Sequence, residues 1–316
     1  MRNTVVGASL GRKRRLGGGM AGSNRQMLIL TLPALVYFFI FCYIPMFGVI
    51  IAFKDYSYSA GILGSEWVGL KNFTFFFASQ DAWRLTRNTV GYALLFIVAG
   101  TIAPVLIALL LNEIKSRTAI KFYQTTMILP YFLSWVIVGY ITYILFNPKL
   151  GIMNQILAAF GLDGVDWYSE PKYWPAILTI VNTWKSVGMN SIFYYSALLS
   201  VDQSLYEAAH IDGANKAQQM WHISLPALRS IVTILTILAV GNIFRGDFGL
   251  FYQIPRNVGL LYPVTDIIDT YLYRGLRYGD VSITAAVGLF QSVVGMVTVI
   301  ITNYCVRKIS PEQALF

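Results

Sequence analysis

The chain has 316 residues, 56% of them hydrophobic and only 12% charged, with a mean hydropathy of +0.58 and a net charge of +9. That composition excludes a soluble domain of this length and indicates an all-α polytopic membrane protein. The basic balance would also suit a nucleic-acid binder, but a basic arm and short cytoplasmic loops account for it, so no nucleic-acid partner is expected.

Residues 1–26 carry Arg12-Lys13-Arg14-Arg15 and Gly17-Gly18-Gly19 without apolar periodicity. They read as a basic, disordered cytoplasmic arm. Charge followed by an apolar run is also the layout of a signal peptide. The run 27–53 is, however, too long for a signal core and lacks a small-residue cleavage site, so it reads as a first transmembrane helix.

A helix needs roughly 20 apolar residues to cross the hydrocarbon core. Six stretches meet that length: about 27–53, 88–111, 122–146, 174–198, 227–251 and 281–304. The region 27–316 is thus expected to be one six-span domain, with Pro33, Pro45, Pro104 and Pro130 within or near span ends. Neighbouring helices can satisfy the carbonyls that such prolines free. Six spans put both termini on one side, and the basic arm places that side in the cytoplasm. The short basic connection holding Lys115, Arg117 and Lys121 agrees. Three outer segments, 54–87, 147–173 and 252–280, are rich in Tyr, Trp, Gly and Asn, as an interfacial aromatic belt would be, and some of these rings could equally stack on a carbohydrate.

Two cysteines, Cys42 and Cys305, exclude a disulfide framework and a multi-cysteine metal site. The two histidines, His210 and His222, are a thin basis for a metal, and none is assigned. Both lie in a polar island, 199–226, between the fourth and fifth spans. There Leu205, Ala208 and Ala209 share one face of a short helix by their i, i+3, i+4 spacing. Gly213 permits a sharp left-handed turn, Ser224 can cap the next helix, and Pro226 suits its first turn. The pattern predicts a small docking helix, a turn and a new helix; an ordinary polar loop is the bland alternative.

The island resembles the EAA loop of ABC-importer permeases: Glu207, Ala208, Ala209, Gly213, Ile223, Leu225 and Pro226 fall at the family spacing. The stretch Tyr206-Glu207-Ala208-Ala209-His210-Ile211-Asp212-Gly213-Ala214 is similar to the carbohydrate-uptake branch. So are Trp67-Val68-Gly69-Leu70-Lys71-Asn72-Phe73, Asn88-Thr89, and Val264-Thr265-Asp266-Ile267-Ile268-Asp269-Thr270-Tyr271, the last in the polysaccharide or oligosaccharide type. The resemblance implies a type I importer-like transmembrane domain in a bacterial cell membrane. It further implies that Glu207, Ala208, Ala209, Asp212, Gly213, Ile223, Leu225 and Pro226 form a coupling loop docked on a separate cytoplasmic ATPase dimer.

The implied partners are that ATPase, a second permease subunit and an extracellular sugar-binding protein. No Gly-x-x-x-x-Gly-Lys-Ser/Thr phosphate loop occurs in this chain, so ATP and Mg are expected on the ATPase, with no cofactor bound here. The permease itself is not expected to be an enzyme.

Charge within the spans is sparse and therefore informative. Lys185 lies near the middle of the fourth span, either on a pathway or hydrogen-bonded to carbonyls. Arg245 and Asp247, towards the outer end of the fifth span, either pair with each other or reach the interface, and Arg245 is also a candidate for the substrate pathway. Gly241, Gly246 and Gly249 allow close helix approach there. A neutral sugar wants amides, hydroxyls and aromatics, which Asn182, Asn190 and Tyr194 supply. Gln291 is a further polar candidate in the last span.

A secondary transporter would need a midplane carboxylate, and none of the six spans holds a central Asp or Glu. A membrane-embedded enzyme would need a metal pair, an acid pair or a Gly-x-Ser-x-Gly within the spans, and none of these is found there. The same architecture could carry amino acids, peptides or phosphate esters instead of a sugar.

Overall fold

The computed structural model describes residues 19–309. The chain falls into two compact units, one up to Ile50 and one from Ile51 onward. In the first, α1 (Gly19–Phe38) continues through a π-helical turn, Phe39–Tyr43, to Ile44–Met46. The side chains from Met27 to Phe47 are exposed all round, and the apolar stretch Met27–Phe53 is long enough to cross a membrane. Residues 1–18 of the expected arm lie outside the described residues, and 19–26, expected as part of it, are helical instead.

The second unit is nearly all helical. A two-residue antiparallel pair, β1 (Lys54–Asp55) with β2 (Glu66–Trp67), departs from a strictly all-α chain. After it come α2 (Lys71–Ala78), α3 (Gln80–Asn112), α4 (Arg117–Ile128), α5 (Trp135–Phe146), α6 (Ile152–Ala159), α7 (Trp174–Leu199), α8 (Gln203–Ile211), α9 (Arg229–Gly241), α10 (Phe248–Gln253), α11 (Ile268–Tyr278) and α12 (Val281–Ile309). The most extensive helix pair is α3 with α7.

Among the described residues, three helical stretches, 27–53, α3 and 281–308, are long and apolar enough to span a membrane. Two bent pairs raise the number to five. Two expected spans are therefore not single helices. The stretch 122–146 bends by 98° between Phe132 and Trp135, and the stretch 227–251 stops at Gly241, restarting only at Phe248. The helix α7 is continuous and 26 residues long, but Asn182, Lys185 and Asn190 dilute its apolar character.

Prolines explain part of this. Pro130 opens the 3-10 turn Leu129–Phe132 that ends the run from α4. Pro45 and Pro226 each follow a π-helical turn, Phe39–Tyr43 and Met220–Ser224. A proline ring clashes with the carbonyl four residues back, and a widened turn relieves it. Pro104, by contrast, sits inside an unbroken α3.

Lipid is as apolar as leucine, so close approach and polar links hold membrane helices together rather than burial alone. A β-carbon on Gly188 of α7 would lie 1.9 Å from the Met127 carbonyl oxygen, so α7 meets the end of α4 backbone to backbone. Gly249 likewise abuts the Trp135 indole, whereas Gly241 has ordinary space and needs no glycine.

The polar links serve broken backbone. Lys185 Nζ donates to the Tyr131 carbonyl at 2.7 Å, at the bend before α5, and lies 5.0 Å from the centre of the Trp135 indole. The Trp135 Nε1–H donates to Asp247 Oδ2 at 2.8 Å, while Asp247 Oδ1 accepts from the Leu250 amide and caps α10. Asp247 therefore does not pair with Arg245. Beyond α10, the Asp266 side chain is fully buried and ion-paired to Arg84, at 3.1 Å, and to Arg274. Asn88 Nδ2 donates to the Pro263 and Asp266 carbonyls, and the Ile268 amide donates to the Thr89 hydroxyl. The start of α3 is thus sewn to the segment that leads into α11. At the other join, Asn72 Nδ2 donates to the Ala52 and Lys54 carbonyls, closing the end of the helical run 47–53.

Two tests follow. Asp266→Ala leaves two guanidinium groups without their buried partner and should lower stability by about 3–5 kcal/mol, read from thermal unfolding of the detergent-purified protein. Asp266→Glu should lose less. Lys185→Met leaves the Tyr131 carbonyl unpaired and should lose about 1–3 kcal/mol in the same assay. A Lys185→Met protein with unchanged melting but abolished transport would assign the lysine to a pathway instead.

Candidate functional site

The polar island folds as its spacing predicts. Asp202 caps α8 by accepting from the Ser204 amide at 2.9 Å, and that bond holds its carboxyl below the usual range. The cap is thus retained at neutral pH and lost as pH falls through the lowered value. At the other end Gly213 takes φ +81°, with nothing within 4 Å of where a β-carbon would sit. The Ala214 amide reaches back to the Ala209 carbonyl at 2.9 Å, closing the helix with a Schellman-type bond.

The next turn, Lys216–Gln219, carries a capping box between Asn215 and Gln218. Ser224, expected as a helix cap, is instead helical and buried, its hydroxyl 2.9 Å from the Tyr206 hydroxyl. Pro226 does occupy the first turn of the short helix Leu225–Ala227.

The outward side of the island is unpartnered. Leu205 is 52% and Ile211 85% exposed. Ala208 and Glu207 are exposed too, and the Glu207 side chain has no hydrogen bond or ion pair among the described residues. Ala209, Asp212, Gly213 and Ile223 together line a cleft of about 340 Å³ that His222 also borders. No metal-binding cluster occurs among the described residues.

The inward side is tied to the long helices. Leu228 is fully buried in one apolar cluster with Val105 and Leu109 of α3 and with Tyr194 and Leu198 of α7, and Leu225 packs against it. Lys216 pairs with Glu113, at the end of α3, at 3.0 Å. The chain that follows α8 is thereby packed on the adjoining ends of α3 and α7.

The other candidates separate into two sets. Asn190 and Tyr194 of α7 face a cleft of about 370 Å³ that also takes Thr101 from α3 and Asn242 and Arg245 from the chain just past α9. Arg245 borders a second cleft, about 480 Å³, together with Asp269 and Gln291. Gln291 is engaged there: its Nε2 donates to the Phe244 carbonyl at 2.7 Å and to Asp269 Oδ2 at 3.2 Å. Lys185 is engaged at the bend before α5, as above, and Asn182 lines neither cleft.

Asn242 was not singled out from sequence, although a lone amide at the end of an apolar run was there to see. Arg84, Arg87 and Arg274 gave no such signal, because their partners lie in the distant or irregular segment around Pro263 and Asp266.

Residues 97–311 match the model of the binding-protein-dependent transport system inner membrane component family. Protein LplB of Bacillus subtilis (strain 168) is 39% identical over 92% of this chain and 91% of its own. The polygalacturonan/rhamnogalacturonan transport system permease protein YteP of the same strain is 36% identical over 92% and 90%. A chain in the crystal structure of a bacterial ABC transporter involved in the import of the acidic polysaccharide alginate superposes with a TM-score of 0.82. It is 32% identical, covering 92% of this chain and 97% of that one. By sequence and by fold, the chain belongs to the family of binding-protein-dependent transport system inner membrane components.

Proposed function

We propose that the chain is the transmembrane permease subunit of an ATP-driven, binding-protein-dependent importer of oligosaccharides or polysaccharide-derived sugars. The observation that carries this reading is the exposed helix α8, which presents Leu205, Ala208 and Ile211 outward, while Met220 and Leu225 farther along the island pack against the cluster formed with α3 and α7. The alginate importer and the polygalacturonan/rhamnogalacturonan permease supply the cargo class.

The six-span topology is part of the proposal. The stretch 27–53, α3, the bent run from α4 to α5, α9 and α12 give five crossings, and α7 is the sixth. Both termini and the island 199–226 then face the cytoplasm, with the basic arm preceding the permease domain.

In this mechanism α8 lies in a groove of a cytoplasmic ATPase, the small Ala208 and Ala209 letting it sit deep. ATP-driven closure of the ATPase dimer moves α8, and the packed cluster around Leu228 carries that motion into α3 and α7 as a rigid-body shift. The clefts bordered by Asn190, Tyr194 and Arg245 are offered to either side of the membrane in turn. ATP and Mg act on the ATPase, and this chain performs no chemistry of its own. One chain provides few helices to enclose an oligosaccharide, so a second permease subunit completes the pathway. A solute-binding protein delivers cargo from outside; in support, the similar alginate transporter was solved in complex with its pentasaccharide-bound periplasmic protein.

Gly213→Val places a branched side chain in a left-handed conformation, at a cost of about 1–2 kcal/mol, without a clash. It should leave the chain in the membrane at normal levels and reduce ATP-driven uptake by tenfold or more; normal uptake would contradict the coupling role. Glu207→Ala should weaken recovery of the ATPase with the affinity-purified permease, and unchanged recovery would remove Glu207 from the docking surface.

A further inference from the structure

Arg245 is the charged group in this region that the fold leaves uncommitted. Lys185 is engaged by the Tyr131 carbonyl, Asp247 by the Trp135 indole and the Leu250 amide, and Asp266 by Arg84 and Arg274. Asp269 accepts from the Gly246 amide at 2.9 Å and from Gln291. The exposed Arg245 side chain has no hydrogen bond or ion pair among the described residues. It feels Asp269 only as a nearby charge, through an oxygen already shared by two donors.

Its position is equally specific. The helix α9 ends at Gly241, and the chain from Asn242 to Asp247 is irregular, with the Arg245 amide bonded to the Asn242 carbonyl. Unwound backbone within a span persists where it lines a cavity. Arg245 borders both clefts and is the only cation among the residues that line either. Around it stand Asn190, Asn242, Thr101 and Tyr194, groups suited to hydroxyls, with Phe96 and Phe193 offering ring faces.

We propose that Arg245 reads a carboxylate on the cargo, and hence that the transported sugar is a uronate-type acidic oligosaccharide. The planar guanidinium fork matches a carboxylate with two parallel hydrogen bonds and is never deprotonated. One guanidinium fork matches one carboxylate, while a phosphate dianion would want a second cation, and neither cleft lining holds one. The neutral amides and hydroxyls would take the sugar hydroxyls, leaving charge selection to a single residue.

The inference rests on the import reading, and one experiment separates the two. The complete transporter, with its ATPase, second permease subunit and binding protein, is placed in proteoliposomes with wild-type chain, Arg245→Gln or Arg245→Lys. Each preparation is assayed for uptake of trigalacturonate, its methyl ester, neutral galactotriose and a hexose phosphate. Equal recovery of the assembled complex controls for folding.

Wild type should move trigalacturonate at least tenfold faster than its ester at limiting concentration. Arg245→Gln should lose most of that rate while moving the ester about as fast as wild type does, and Arg245→Lys should recover part of it. Equal slowing of acid and ester by Arg245→Gln, or no slowing, would overturn the role of Arg245. Preference for galactotriose or for the hexose phosphate would overturn the uronate class while leaving import intact. No carbohydrate uptake by the wild-type assembly would instead bring down the import reading itself.

Discussion

The structure depends on one constraint: wherever a helix breaks in an apolar setting, the freed backbone must find a partner. Four side chains meet it in the same way. Lys185 takes the Tyr131 carbonyl, Gln291 the Phe244 carbonyl, Asn72 the carbonyls of Ala52 and Lys54, and Asn88 those of Pro263 and Asp266. Each lies on a different element from the break it serves or close to a sharp turn in it. Water can do this work outside the bilayer; for Lys185 and Gln291, which lie on apolar runs, it is absent and an unpaired group costs several kcal/mol.

That constraint gives the breaks a use. Because the bend before α5 and the irregular segment after α9 are each held by side chains from a neighbouring helix, they are defined turns rather than loose ends. The segment after α9 presents Asn242 and Arg245 to the clefts. At the opposite end of α7, the island applies the same economy: Asp202, Gly213 and the Asn215–Gln218 capping box close each short helix from within the island. Its outward face is left with apolar side chains and a free carboxylate, as a docking surface requires.

Much of this was legible in the sequence. The island was, because helical spacing, a left-handed glycine and a proline in a first turn are local properties, and α8, Gly213 and Pro226 obey them. The apolar runs were legible in composition but not in continuity. Hydropathy registers 122–146 and 227–251 as spans without sensing that Pro130 ends a helix or that Gly241 closes one. Lys185 and Gln291 stood out as intramembrane polar groups, yet their partners are backbone carbonyls 54 and 47 residues away, which no local pattern specifies. The same distance hid the Asp266 network, in which Arg84 reaches across 182 positions. Ser224 was misread because a hydroxyl before Leu-Pro looks like a cap, whereas the π-helical turn keeps it helical and the Tyr206 hydroxyl is its partner.

The central claim is that α8 is the contact through which an external motor drives this chain. Its most direct test is photo-crosslinking in native membranes from a reactive residue placed at position 205 or 211, followed by mass spectrometry of the adduct. The account predicts a single dominant adduct with a soluble ATPase carrying a phosphate-binding loop, strengthened or weakened by trapping that ATPase with a nucleotide analogue. Adducts only to lipid, or only to a second copy of this chain, would contradict it.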